Sequence, residues 1–102
     1  MVSPWPFAVW GIDLIGVLPT TRSNVKYAIV AVDYFTKWAE EEPLATITSK
    51  KVINFVLKNI ICRFGVPKEI VTNNGSQFIS YDFKNFCDKY VIKLSFSTPR
   101  YP

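Results

Sequence analysis

The hydrophobic period of this chain first changes near residue 48, and that change decides the fold class. Before it, apolar and β-branched residues come in short runs split by turn residues. After it, stretches with helical spacing alternate with short strand-like runs. Residues 10–17 make a first strand candidate and 19–24, Pro-Thr-Thr-Arg-Ser-Asn, a polar turn. Lys26 to Asp33 reads Lys-Tyr-Ala-Ile-Val-Ala-Val-Asp, which suits a buried central strand. Residues 35–42 suit a third strand that Pro43 closes, so the first half predicts an antiparallel meander. Residues 1–9 form an extended lead-in, with two prolines in the first six positions.

Beyond the change, Val52, Ile53, Val56, Leu57, Ile60, Ile61 and Phe64 mark one face of a helix. Thr48 or Ser49 can cap its start, and Gly65 and Pro67 stop it. Residues 68–72 read as a short strand, and Asn74-Gly75 as a turn pair that tolerates positive φ. Ser80 can cap a second helix carrying Phe83, Phe86, Cys87 and Tyr90 inward, and residues 91–97 alternate as a fifth strand. The order β-β-β-α-β-α-β predicts an α/β fold: a mixed five-stranded sheet with helices packed on it. The 102 residues, 49% hydrophobic, suffice for one domain with one core.

Composition contributes mainly by exclusion. Without histidine there is no imidazole base, no Ser-His-Asp triad and no His-based zinc site. Cys62 and Cys87 each sit in an apolar helical pattern and read as buried free thiols of a reducing compartment. No apolar run approaches the roughly 20 residues that span a bilayer, and the start lacks the basic region of a signal peptide. The net charge of +4 permits an anionic partner. The cations are scattered, with Lys50-Lys51 the one adjacent pair, so weak non-specific DNA binding is the most they imply.

Asp13 lies among Trp10, Ile12, Leu14 and Ile15. A carboxylate there needs a divalent cation, a local hydrogen bond or an exposed sheet face to compensate it. Position 73 is the C-terminal end of a strand just before a turn and helix, where α/β sheets place ligand groups. Asp33 would lie diagonally from Asp13 on the same face if the hairpin turned near Arg22, and a one-residue slip would reverse that. Glu40, Glu41 and Glu42 read as a solvated edge, and Asp82 as a helix-dipole partner. The aromatics Trp5, Trp10, Trp38, Phe55, Phe64, Phe83 and Phe86 read as core.

The segments Pro4-Trp-Pro-Phe, Trp10-Gly-Ile-Asp, Ala31-Val-Asp-Tyr-Phe-Thr-Lys-Trp38, Asn59-Ile-Ile-Cys-Arg-Phe-Gly65 and Val71-Thr-Asn-Asn-Gly-Ser-Gln-Phe78 occur in that order. Together they resemble the integrase catalytic core of Ty3/Gypsy-type long-terminal-repeat retrotransposons, the plant elements most closely. The resemblance covers nearly the whole chain. It implies a ribonuclease-H-like fold and a nuclear protein that joins element DNA to target DNA. It also implies a triad of two aspartates and a glutamate holding two Mg²⁺ or Mn²⁺ ions. Asp13 matches the first aspartate. Asn73 falls where the second belongs, in a motif that usually reads Ser/Thr-Asp-Asn-Gly, and Asn74, Gly75 and Phe78 match their neighbours. The glutamate would lie beyond Tyr101-Pro102, with the helices that cover part of the sheet, so residues 1–102 are expected to be a partial, single core domain. The family's zinc-binding N-terminal domain and C-terminal DNA-binding domain are not among these residues.

One carboxylate and an amide hold two dications poorly, because the amide oxygen carries no charge. The expectation is a degenerate core with Asp13 as the surviving ligand, Mg²⁺ or Mn²⁺ bound weakly or not at all, and no strand transfer. Uncovered sheet surface would favour self-association. Two further readings are a non-catalytic nucleic-acid- or protein-binding module on the same fold, and a ribonuclease-H-type nuclease working with fewer carboxylates.

Overall fold

Five strands form one mixed sheet in the order β3-β2-β1-β4-β5 in a computed structural model that describes residues 5–16, 26–73 and 75–97. β1 (Val9–Gly16) pairs antiparallel with β2 (Tyr27–Asp33), and β2 antiparallel with β3 (Ala39–Leu44). β4 (Glu69–Thr72) and β5 (Lys93–Phe96) continue the sheet in parallel. The helical half follows the change of period. α1 (Ser49–Phe55), a π-helical stretch Val56–Ile61 and α2 (Cys62–Phe64) run on from one another, and α3 (Ser76–Ile79) leads to α4 (Tyr81–Lys89). Thr48 caps α1 by accepting the Lys51 N–H, and Ser80 caps α4 by accepting that of Phe83.

Strand alternation sorts the sheet into two unlike faces. Trp10, Ile12, Ile29, Ala31 and Ile70 meet Val52, Phe55, Val56 and Ile60 of the first helical run and Phe78, Phe83, Phe86 and Cys87 of α3 and α4. The opposite face has a small patch of Ala8, Val9 and Val71 under Tyr34. Around it Ala28, Val30 and Val32 are half-buried and Ile15 is exposed.

Several expectations change. The third strand begins at Ala39 and includes Pro43, because the Asp33 carboxylate draws residues 34–38 into a turn. Its Oδ2 accepts from both the N–H and the hydroxyl of Thr36, and Lys37 takes φ 68°. Pro43 is tolerated because β3 is an edge strand. The lead-in is not extended over its described part. Residues 6 and 7 turn, Phe7 takes φ 62°, and its N–H donates to Asp33 Oδ1. The fifth strand starts at Lys93, since Val91 takes φ 57° where the Ile92 N–H closes α4 on the Cys87 carbonyl.

Cys62 is exposed rather than buried. It lies seven residues past the buried Phe55, which an unbroken α-helix would place on the same face. The wider turns of the π stretch, with Cys62 N–H bonded to the Leu57 carbonyl, rotate it outward. Trp5 and Trp38 are about half exposed, so neither belongs to the core. Gly75, which could tolerate positive φ, takes φ −60° at the start of α3, while Asn74 and the turn at 19–24 lie outside the described residues.

Candidate active-site cleft

β1 and β4 are neighbours with Ile12 opposite Thr72, and one residue further along each strand lie Asp13 and Asn73. Ile12 faces the helices, so alternation turns Asp13 to the other side of the sheet, where it is exposed. Asn73 leaves β4 on that side. Asn73 Nδ2 donates to Asp13 Oδ1 at 3.0 Å, and the Leu14 N–H donates to the same oxygen at 2.9 Å. This carboxylate thus has both a local hydrogen bond and an exposed sheet face.

The orientation of the amide follows from its partners. Asn73 Oδ1 accepts the Gly75 N–H at 2.9 Å. A backbone N–H only donates and a carboxylate oxygen only accepts, so the carbonyl must face Gly75 and the NH₂ must face Asp13. Asn73 therefore presents a donor to the carboxylate and keeps its one potential ligand oxygen on the turn into α3.

An open cleft of about 500 Å³ surrounds the pair, lined also by Gly11, Leu14, Tyr34, Val71 and Ser97. Gly11 is what lets Tyr34 in: a Cβ there would stand 2.8 Å from Tyr34 Cε1 and 2.9 Å from its hydroxyl oxygen. Burial, and then the nearby Glu69 carboxylate, push the Tyr34 phenol above its ordinary range, so it stays a neutral hydroxyl. Neither Tyr34 nor Ser97 stands out as a site residue in the sequence. The signal for Tyr34 was parity, since it follows Val32 by two on the face of Asp13.

Other expected acids go elsewhere. Asp13 pairs with Val30, which puts Asp33 on the opposite parity, so the one-residue slip did occur. Asp33 is fully buried and bonded to Phe7 and Thr36, away from Asp13. Glu40 is not solvated. It is 7% exposed and accepts from Trp38 Nε1 and Arg63. Glu42 pairs with Lys58 at 2.9 Å, while Glu41 is exposed as expected. Asp82 stands in the first turn of α4.

Among the described residues no three His, Cys, Asp or Glu side chains stand close enough to hold a metal ion together. Magnesium and manganese want hard, preferably anionic oxygens. Here the one carboxylate faces an amide N–H donor, and the oxygen of that amide is turned to the Gly75 N–H, so the residues present do not fit a dication.

A family model described as the integrase core domain matches residues 4–102. The Gag-Pol polyprotein of avian reticuloendotheliosis virus is 34% identical over 79 residues, 78% of this chain and 7% of that polyprotein. The transposon Tf2-3 polyprotein of Schizosaccharomyces pombe is 34% identical over 98 residues, 95% of this chain and again 7% of the relative. The chain thus spans less than a tenth of the curated relatives it matches. Among solved structures, the HTLV-2 integrase catalytic core domain in complex with magnesium is similar at TM-score 0.82 and 29% identity, over 94% of this chain and 63% of that one. A simian T-cell lymphotropic virus intasome in complex with PP2A regulatory subunit B56 gamma shares the fold at TM-score 0.83 and 24% identity, over 96% and 37%.

Proposed function

Because the chain belongs to the integrase core domain family, we propose that it is part of a retrotransposon integrase catalytic core, of Ty3/Gypsy type, whose strand-transfer chemistry is disabled at position 73. The transposon side of the family is favoured by coverage: the fission-yeast polyprotein aligns with 95% of the chain, the avian viral one with 78%. Asp13 and Asn73 are the site residues in this reading, Asp13 as the surviving ligand and Asn73 as the replaced one.

The observation that carries the reading is the 3.0 Å bond from Asn73 Nδ2 to Asp13 Oδ1. Phosphoryl transfer of this kind uses two dications about 3.5–4 Å apart, bridged by carboxylates. A single carboxylate beside an amide donor cannot replace that charge, and losses among groups that act as a unit are large and non-additive. What the cleft retains is shape: the neutral phenol of Tyr34 over Gly11 and the strand ends of β1 and β4. The +4 net charge supports weak, sequence-independent contact with DNA that fades as salt rises.

The test is joining and end-trimming of a duplex oligonucleotide carrying a retrotransposon end, by the purified chain with Mg²⁺ or Mn²⁺. No product above the protein-free control is expected. Metal-dependent joining by the chain would contradict the proposal.

A further inference from the structure

We infer that position 73 is a one-atom switch on divalent-cation binding. The Asn73 nitrogen occupies the place of an anionic ligand oxygen, in a geometry that already suits a cation of the magnesium class. The inference rests on the proposed loss of metal chemistry and adds its cause.

Three distances carry it. The carbonyl half of Asn73 is spoken for by the Gly75 N–H at 2.9 Å. An aspartate in its place can keep that bond with one carboxylate oxygen, so the turn into α3 survives the exchange. The other oxygen then replaces Nδ2, 3.0 Å from Asp13 Oδ1. That converts a donor facing an acceptor into two anionic acceptors facing each other, which is unfavourable without a cation between them. The spacing suits one: ligand oxygens about 2.0–2.1 Å from an octahedral ion lie about 3.0 Å apart when adjacent. The Leu14 N–H, 2.9 Å from Asp13 Oδ1, holds the carboxylate in place in either case. Asp13 is exposed and the cleft is open, so water can complete the coordination shell. In the chain as it stands, the amide hydrogens do the cation's work at Asp13, so the strand ends need no metal.

The experiment is isothermal titration with Mn²⁺, with circular dichroism to establish folding, on the wild type, Asn73→Asp and Asn73→Ser. The serine variant removes the amide clamp without adding charge. Asn73→Asp is expected to bind one Mn²⁺ with half-saturation at least about tenfold below either of the others, since affinity at such sites follows ligand charge. Wild type and Asn73→Ser are expected to bind Mn²⁺ only in this weaker range. A folded Asn73→Asp variant as indifferent to Mn²⁺ as wild type would overturn the switch and leave the proposed inactivity standing. Equal binding by Asn73→Ser would overturn it too, by showing that the clamp rather than the missing charge excludes the ion. Saturable binding of two ions by wild type would overturn both this inference and the proposed function.

Discussion

Asp33 resembles a ligand in the sequence and is a structural keystone in the fold. It is fully buried at the end of β2, and its two carboxylate oxygens hold the Phe7 N–H and both donors of Thr36, tying the entry to β1 to the β2–β3 turn. Asp33→Ala would strand those donors, and hydrogen bonds to a charged group contribute about 1.5–3 kcal/mol each. Urea unfolding should show a loss of about 2–4 kcal/mol, against about 0.5 kcal/mol or less for the exposed Glu41→Ala. The thiols make a second test at this scale. Burial pushes Cys87 up to about 12, whereas Cys62 is exposed. A maleimide should label Cys62 in the native chain and Cys87 only on unfolding. The folded-state pKa lies above the unfolded one, so the contribution of Cys87 is fully present below about pH 8.5 and lost as pH rises toward 12. Alkaline destabilisation should therefore be shallower in Cys87→Ala. Asp13 and Asn73 were legible as site candidates because an acid in an apolar strand and an amide at a strand end are both anomalies. Which way the amide points was not legible, because the Gly75 N–H that fixes it is a backbone group.

At the scale of elements, what was legible followed local chemistry and what was not followed pairing. Thr48 and Ser80 were readable as caps and serve as caps. Thr48→Ala should cost about 1 kcal/mol of unfolding free energy. The β1–β2 register was not readable, since a shift of one residue moves every side chain to the other face and the sequence offers both. Asp33 fell on the wrong side of that choice. β3 slid past the expected Pro43 boundary because a side chain, not strand propensity, sets the preceding turn. The π stretch carries no composition signal of its own, and its effect is visible in the outward turn of Cys62. Close packing between strands gives a further test. Gly11→Ala would bring a Cβ to 2.8 Å from the Tyr34 ring, displacing the ring from the cleft. We expect a loss of about 1–3 kcal/mol with the fold retained, and a Tyr34→Ala background should relieve most of it.

At the scale of the whole molecule, one sheet face carries the core and the other carries the cleft amid small, half-buried apolar residues such as Ala28, Val30 and Val32. Such a patch favours association, so we propose that the isolated chain self-associates through it. Sedimentation velocity at micromolar concentration should show dimers or larger species, and Val30→Lys should shift them toward monomer. A monodisperse wild-type monomer would contradict this. By the proposed function, the cleft between β1 and β4 holds too few anionic oxygens for a pair of divalent ions. Anomalous diffraction from crystals soaked in manganese tests it most directly. No ordered peak is expected between residues 13 and 73; two well-occupied ions bridged by Asp13 and Asn73 would overturn the proposed loss of metal chemistry.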